Sequence, residues 1–255
     1  DDRNSHNQIH GVEAKTTNNF SLFEPYLQKI IDYNRKYVEW VGDDTKRGYD
    51  VLLDEYERGY NREQYDRFFE LLKEKIVPLV KKISGRKLEY NDSFVGKTFP
   101  KAGQVEFCEY LRSVMKFDPE RTAILESEHP FTANNGNSDV RITNHYYEDN
   151  VVSAIFSAIH EMGHGLYELQ IDDKYEGTGL SGGASLAIHE SQSRFMENMI
   201  GRSLPFWETH FGKLKSIFPE QFEGVSALDF YKHVNTVEPS LIRTEADELT
   251  YSLHV

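Results

Sequence analysis

The chain has 255 residues, 38% of them hydrophobic and 28% charged, and carries a formal net charge of −13 at neutral pH. That composition describes a soluble globular protein large enough to bury a core in one or two domains, and the negative charge argues against nucleic acid or an anionic membrane as partner. No apolar run is long enough to span a bilayer, the front of the sequence does not read as a secretory signal peptide, and the single cysteine, Cys108, excludes an internal disulfide framework and fits a reducing compartment.

Residues 1–19 are polar and rich in Asn, Asp and His, so a disordered or loosely attached lead-in is expected there. His6 and His10 within it have no apolar stripe beneath them and read as part of a solvated tail. From Pro25 to Trp40, apolar residues recur at helical spacing, with Pro25 suited to a first helical position. A short segment, Tyr49–Tyr56, ends near Gly59. Asn61 and Gln64 resemble a capping box for the next helix, whose stripe is Phe68, Leu72, Ile76, Leu79 and Ile83, with Pro78 expected to bend it. Gly103–Met115 reads as a helix with Val105, Cys108, Leu111 and Met115 on one face, which makes Cys108 a packing residue. Asp118-Pro119 is expected to open a short helix running through Leu125. His129–Ser138 has loop composition. Asp139–Tyr147 favours a strand through Val140, Ile142 and Thr143, and Asp149 or Asn150 can cap the helix that follows.

That helix, Val151–Leu169, has a continuous apolar face of Val151, Ile155, Ile159, Met162, Leu166 and Leu169. Beside it stand Ser157, His160, Glu161, His164 and Glu168. Two residues four apart on a helix sit about 40° apart around the axis and roughly 6 Å apart along it, so His160 and His164 can converge on one ion. Glu161 can reach a water at an open metal position, which is the H-E-x-x-H arrangement of zinc peptidases. Gly163 and Gly165 each weaken a helix by roughly 0.8–1 kcal/mol relative to Ala. Two such residues beside the histidines suggest that another backbone passes close by. The alternative is a polar face whose histidines pair with Glu168 and its neighbours.

A catalytic zinc site takes three protein ligands and keeps one position open. Gly177–Gly183 is a glycine-rich loop without the residues of a phosphate-binding motif, and a further helix, Ser185–Gly201, returns after it. Its Glu190 is the expected third ligand. His189 points about 100° away on the same helix, so one of the pair is expected to ligate. Tyr167 and Gln170 occupy the Gly and His places of the metzincin motif and exclude it. Such a site would activate a water and polarise a scissile carbonyl, with Glu161 as the base that passes a proton to the leaving amine. Further helices are expected over Pro205–Phe218, over Ser226–Val237 and from Ile242 onward. The whole is mainly α, with one or two short strands, and residues 20–255 form a single helical region.

Five motifs then occur in a fixed order: His129-Pro130-Phe131, Asp139-x-Arg141-x-Thr143, His160-Glu161-x-x-His164, His189-Glu190-Ser191-Gln192 and Ile242-Arg243-x-x-Ala246-Asp247. Together with Tyr49-Asp50-x-Leu52-Leu53-Asp54 they resemble the carboxypeptidase Taq family, the M32 metallocarboxypeptidases, from about Asn19 to the end. The resemblance implies a gluzincin-like helical metallopeptidase fold and a cytosolic homodimer that removes C-terminal residues from peptides. It implies His160, His164 and Glu190 as ligands of zinc or cobalt and Glu161 as general base. It also implies Arg243 as the holder of the substrate's C-terminal carboxylate, a role suited to a bidentate guanidinium, and His129, Asp139 and Arg141 as further substrate-binding residues. On spacing alone, Arg243 could equally pair with Asp247. Arg58 and Lys15 depart from the family pattern away from the chemistry. Family members extend beyond both ends of this sequence, which begins at Asp1 and stops at Val255 within a helical pattern. A segment of a longer protein is therefore expected, with part of the substrate groove supplied from outside it. Two other readings are a gluzincin with aminopeptidase or endopeptidase specificity, which Met196-Glu197-Asn198 echoes only out of order, and a helical fragment that binds metal without turnover.

Overall fold

A computed structural model describes residues 11–86, 88–237, 247, 249 and 251–253. The chain divides into two compact units, residues 1–65 and 66–255.

In the first unit, residues 11–16 are helical, although their composition suggests an irregular lead-in, and Ala14 among them is buried. Helix α1 (Glu24–Val41) carries Pro25 in its first turn, where a missing N–H costs no hydrogen bond. Helix α2 (Tyr49–Tyr56) follows Gly48, whose φ of 60° and ψ of −132° make a turn that glycine adopts without strain. The capping box forms as the sequence suggests. Asn61 N donates to Gln64 Oε1 and Gln64 N to Asn61 Oδ1, both at 3.0 Å, opening α3 (Arg62–Ile83), which belongs to the second unit from residue 66 on. That helix buries no residue fully. Leu72, Ile76 and Ile83 are half-buried, while Phe68 and Leu79 of the same expected stripe are exposed.

The second unit holds α4 (Lys101–Val114), β1 (Thr122–Glu126), β2 (Thr132–Asn134), β3 (Val140–Asn144), α5 (Val151–Leu169), α6 (Leu186–Arg194), α7 (Leu204–Ile217) and α8 (Ala227–Val234). The fold is mainly helical with one small sheet, in the order β1-β3-β2. β1 runs parallel to β3 with Thr122 opposite Val140, and β2 runs antiparallel with Thr132 opposite Ile142. Two expectations are corrected here. The segment read as a helix through Leu125 ends in strand β1, because Thr122 and Ile124 suit a pleated ladder and β3 supplies the partner. Part of the stretch read as loop, Thr132–Asn134, is the edge strand β2. In α4 the buried face is Gln104, Phe107, Cys108 and Leu111, while Val105 is 36% exposed, so the stripe is turned from the expected one.

The core is built largely of aromatic rings, with Phe94, Phe99, Phe107, Trp207, Phe222 and Phe230 almost fully buried. Trp207 and Phe230 meet edge-on at 4.4 Å between centroids, a favoured arrangement. Against this core lies the apolar face of α5. Val151, Ile155, Ile159 and Met162 are buried, and Leu166 and Leu169 pack partly buried beside them. Among the described residues no helix is long and apolar enough to cross a membrane.

Candidate metal centre

Helix α5 starts where Asn150 Oδ1 accepts the N–H of Ser153 at 3.1 Å, so Asn150 is the cap. With its apolar face turned into the core, the helix presents His160 and Glu161 to a cavity of about 620 Å³ in the second unit, and His164 stands one turn beyond His160. Helix α6 crosses it at Gly163. A Cβ on Gly163 would lie 2.8 Å from Ser193 Cα and 3.2 Å from Gln192 O, closer than side chains pack, so the glycine admits a neighbouring backbone. At Gly165 the close neighbour is the Phe117 ring, at 2.6 Å. The Gly163 crossing sets Glu190, one turn before Ser193, over the two histidines.

Glu190 Oε2 stands 3.5 Å from His160 Nε2 and 3.4 Å from His164 Nε2. One ligand atom from each of the three residues lies within 4.8 Å of the others. A tetrahedral ion with bonds of about 2.0–2.1 Å separates its ligand atoms by about 3.3–3.4 Å. Two imidazole nitrogens and a carboxylate at these distances therefore fit a divalent ion. Glu161 is buried and lines the same cavity, and its Oε2 accepts a hydrogen bond of 2.6 Å from Thr132 Oγ1 on β2.

Each of the three residues has a partner behind it. His160 Nδ1 donates to Glu197 Oε2 at 2.8 Å. Glu197 belongs to a π-helical stretch, Phe195–Gly201, a wider coil that recurs at functional sites. It is buried and also takes Arg194 and Arg202 at 3.3 Å each. His164 Nδ1 is 2.6 Å from His189 Nδ1. Glu190 turns its other oxygen to Arg194 Nε and to the Tyr251 hydroxyl, both at 3.0 Å, and the Arg194 guanidinium lies 3.5 Å over the Tyr251 ring.

The charges follow from these contacts. Burial alone would raise the Glu190 carboxyl, but the adjoining His160, His164 and Arg194 side chains hold it far below the usual carboxylate range. Burial alone would depress His160, but the carboxylates of Glu190 and Glu197 raise it to about 9. Glu197, despite its burial, is held low by His160, Arg194 and Arg202. These carboxylates favour positive charge at this point, and a bound ion would take the place of the His160 proton, with the imidazole as a neutral ligand.

Of the residues expected from the sequence, His160, His164, Glu190, Glu161 and His129 share this cavity or its ligand cluster. Asp139 and Arg141 do not line it. They form a two-pronged ion pair on the surface of β3, with both hydrogen bonds at 2.7 Å. Arg243 and most of the helix expected from Ile242 lie outside the described residues, of which Tyr251–Leu253 forms a 3-10 turn, whereas Asp247 lines the cavity. Sequence reading missed Thr132, because its strand sits in loop-like composition. It also missed Arg194 and Glu197, although their spacing from Glu190, four and seven residues on, puts all three on one helical face.

The model of the family described as carboxypeptidase Taq (M32) metallopeptidase matches residues 3–255. Carboxypeptidase 1 of Bacillus subtilis is 43% identical over 243 residues, covering 95% of this chain and 48% of its own length. Thermostable carboxypeptidase 1 of Thermus thermophilus is 39% identical over 251 residues, covering 95% of this chain and 49% of its own. A crystal structure of BsuCP superposes with a TM-score of 0.93 at 42% identity, over 98% of this chain and 50% of that one. The chain spans about half the length of the curated relatives it matches. On sequence and fold together, it belongs to the carboxypeptidase Taq (M32) family of metallopeptidases.

Proposed function

We propose that this chain carries the metal-binding region of a metallocarboxypeptidase that hydrolyses the C-terminal peptide bond of peptides. The observation that carries the reading is the meeting of His160 Nε2, His164 Nε2 and Glu190 Oε2 beside the cavity that Glu161 lines. The carboxypeptidase names of its relatives point the same way. His160, His164 and Glu190 would hold the ion. Two histidines and a glutamate are the donor set of thermolysin-type zinc sites, so zinc is the ion inferred, with cobalt as a substitute. When bound, such an ion polarises the scissile carbonyl and makes water more acidic.

Glu161 is the general base. Thr132 Oγ1 fixes its Oε2, which leaves Oε1 to take a proton from the attacking water and deliver it to the leaving amine. Arg194 and Tyr251 hold Glu190 Oε1, so that Oε2 stays turned to the histidines. His129, at the cavity wall, is placed to meet the substrate chain. The motif resemblance assigns Arg243 to the substrate's terminal carboxylate. The same resemblance supports a cytoplasmic homodimer.

The test pairs metal content with release of C-terminal residues. An N-blocked peptide with a free C-terminus should be cleaved and its C-amidated counterpart spared. Glu161→Gln should keep the metal and lose turnover by at least the roughly 10²–10⁴-fold that a general base contributes. Full activity in Glu161→Gln, or cleavage of only the amidated peptide, would contradict the reading.

A further inference from the structure

Glu168 and His189 stand behind the ligand cluster. Glu168 lies two turns after Glu161 on α5 and is buried. Its carboxylate accepts from three N–H donors: Asn134 Nδ2 at 2.5 Å, His189 Nε2 at 2.6 Å and Gly183 N at 3.3 Å. A carboxyl group that only accepts is the ionised form, so the proton of that second contact belongs to His189 Nε2. The other ring nitrogen, His189 Nδ1, lies 2.6 Å from His164 Nδ1. Two nitrogens at that distance share one proton. A neutral imidazole has a single N–H, and His189 spends its own on Glu168, so the shared proton sits on His164 Nδ1. His164 Nε2 is then a bare lone pair facing Glu190.

The His189 ring is also boxed in. A Cβ at Gly183 would fall 2.6 Å from His189 Cδ2, so glycine lets this loop lie flat on the imidazole. The Tyr167 ring meets it edge-on at 5.1 Å between centroids. Asn134 joins the chain from β2, two residues after Thr132, so the two like-facing residues of one edge strand grip both Glu161 and Glu168.

We propose that His189 is a positioning residue of the metal centre. Backed by Glu168, it holds His164 in the Nδ1–H form and aims its Nε2 lone pair at the ion. The proposal rests on His164 being a ligand, as inferred above. It also gives a reason for the histidine beside Glu190: one residue of the pair ligates, and its neighbour orients a ligand from the facing helix.

Zinc alone serves as the probe. In the zinc-bound protein with 15N-labelled histidine, His189 should carry its proton on Nε2 and none on Nδ1. A proton on His189 Nδ1 would overturn the proposal, and this measurement needs no variant. In a chelator competition, His189→Leu should weaken zinc about 10–100-fold, the usual effect of losing such an outer partner, with an unchanged circular dichroism spectrum. His189→Asn, whose Oδ1 can stand where Nδ1 stood, should recover most of the loss. Wild-type affinity in His189→Leu would refute the positioning role. His164→Ala separates the two layers. Zinc lost there but kept in His189→Leu refutes the positioning role alone, whereas zinc kept in His164→Ala refutes the metal centre beneath it.

Discussion

Replacing Gly163 with alanine adds one methyl group at the point where α6 crosses α5. That methyl would sit 2.8 Å from Ser193 Cα, 3.2 Å from Gln192 O and 3.2 Å from Met196 Cβ. The first two neighbours are backbone atoms, and none of the three can swing aside as the end of a flexible side chain would. Ordinary contact begins at 3.4 Å, so the helices must part by roughly 0.6 Å or the methyl must stay compressed. Overpacking of this kind costs about 1–3 kcal/mol, and the helix preference for Ala over Gly returns about 0.8–1 kcal/mol. The net is roughly 0–2 kcal/mol of lost stability. The same displacement lifts Glu190 away from His160 and His164, so zinc affinity should fall further than stability, by about tenfold or more. Gly212 on α7 is the control, because a Cβ there meets nothing within 4 Å, and Gly212→Ala should stabilise by about 0.8–1 kcal/mol. Urea unfolding and chelator competition on both variants measure the two effects. A Gly163→Ala protein with wild-type zinc affinity and the same gain as Gly212→Ala would refute the argument that this crossing sets the ligand geometry.

Other consequences can be read in the same preparations. Thr132→Val leaves Glu161 without the hydrogen bond on Oε2, so peptide release should fall about tenfold in kcat. Zinc affinity should stay unchanged, and Thr132→Ser should restore the rate. Burial pushes the Cys108 thiol up to about 12 from 9.0, so native Cys108 should resist alkylation until the protein unfolds. Between those values the unfolded chain loses the thiol proton while the folded chain keeps it, so stability should fall by up to about 1.4 kcal/mol per pH unit. In Cys108→Ala, urea midpoints across that range should lack this component. Ile142→Ala should cost about 2–5 kcal/mol, because Ile142 is fully buried between the sheet and the core.

The metal helix was legible in the sequence because one local period sets both its apolar face and the spacing of its histidines. Glu190 was legible for a related reason: one connecting stretch lets the next helix fold back against α5. Gly163 carried a genuine tertiary signal, since a glycine in a helix needs a reason and here the reason is the α6 backbone. What the sequence hid is chiefly non-local. Strand β1 exists because β3 lies beside it, and Thr122–Glu126 gives no strong local sign of that partner. β2 is three residues long, too short to show an alternation, yet it supplies both Thr132 and Asn134 to the site. The contacts of His189 with His164 and Glu168 join two helices, which no spacing along one helix discloses. The surface pair of Asp139 and Arg141 shows the converse, since a motif can place residues on the strand next to a cavity without turning them into it.

His160, His164 and Glu190 are proposed to hold one divalent ion. An anomalous difference map collected at the zinc absorption edge from crystals grown with zinc tests this directly. The expected map shows a single strong peak about 2.0–2.2 Å from His160 Nε2, His164 Nε2 and a Glu190 carboxylate oxygen, lost in Glu190→Ala. A map with no peak there, or with zinc bound only at other residues, would contradict the proposal.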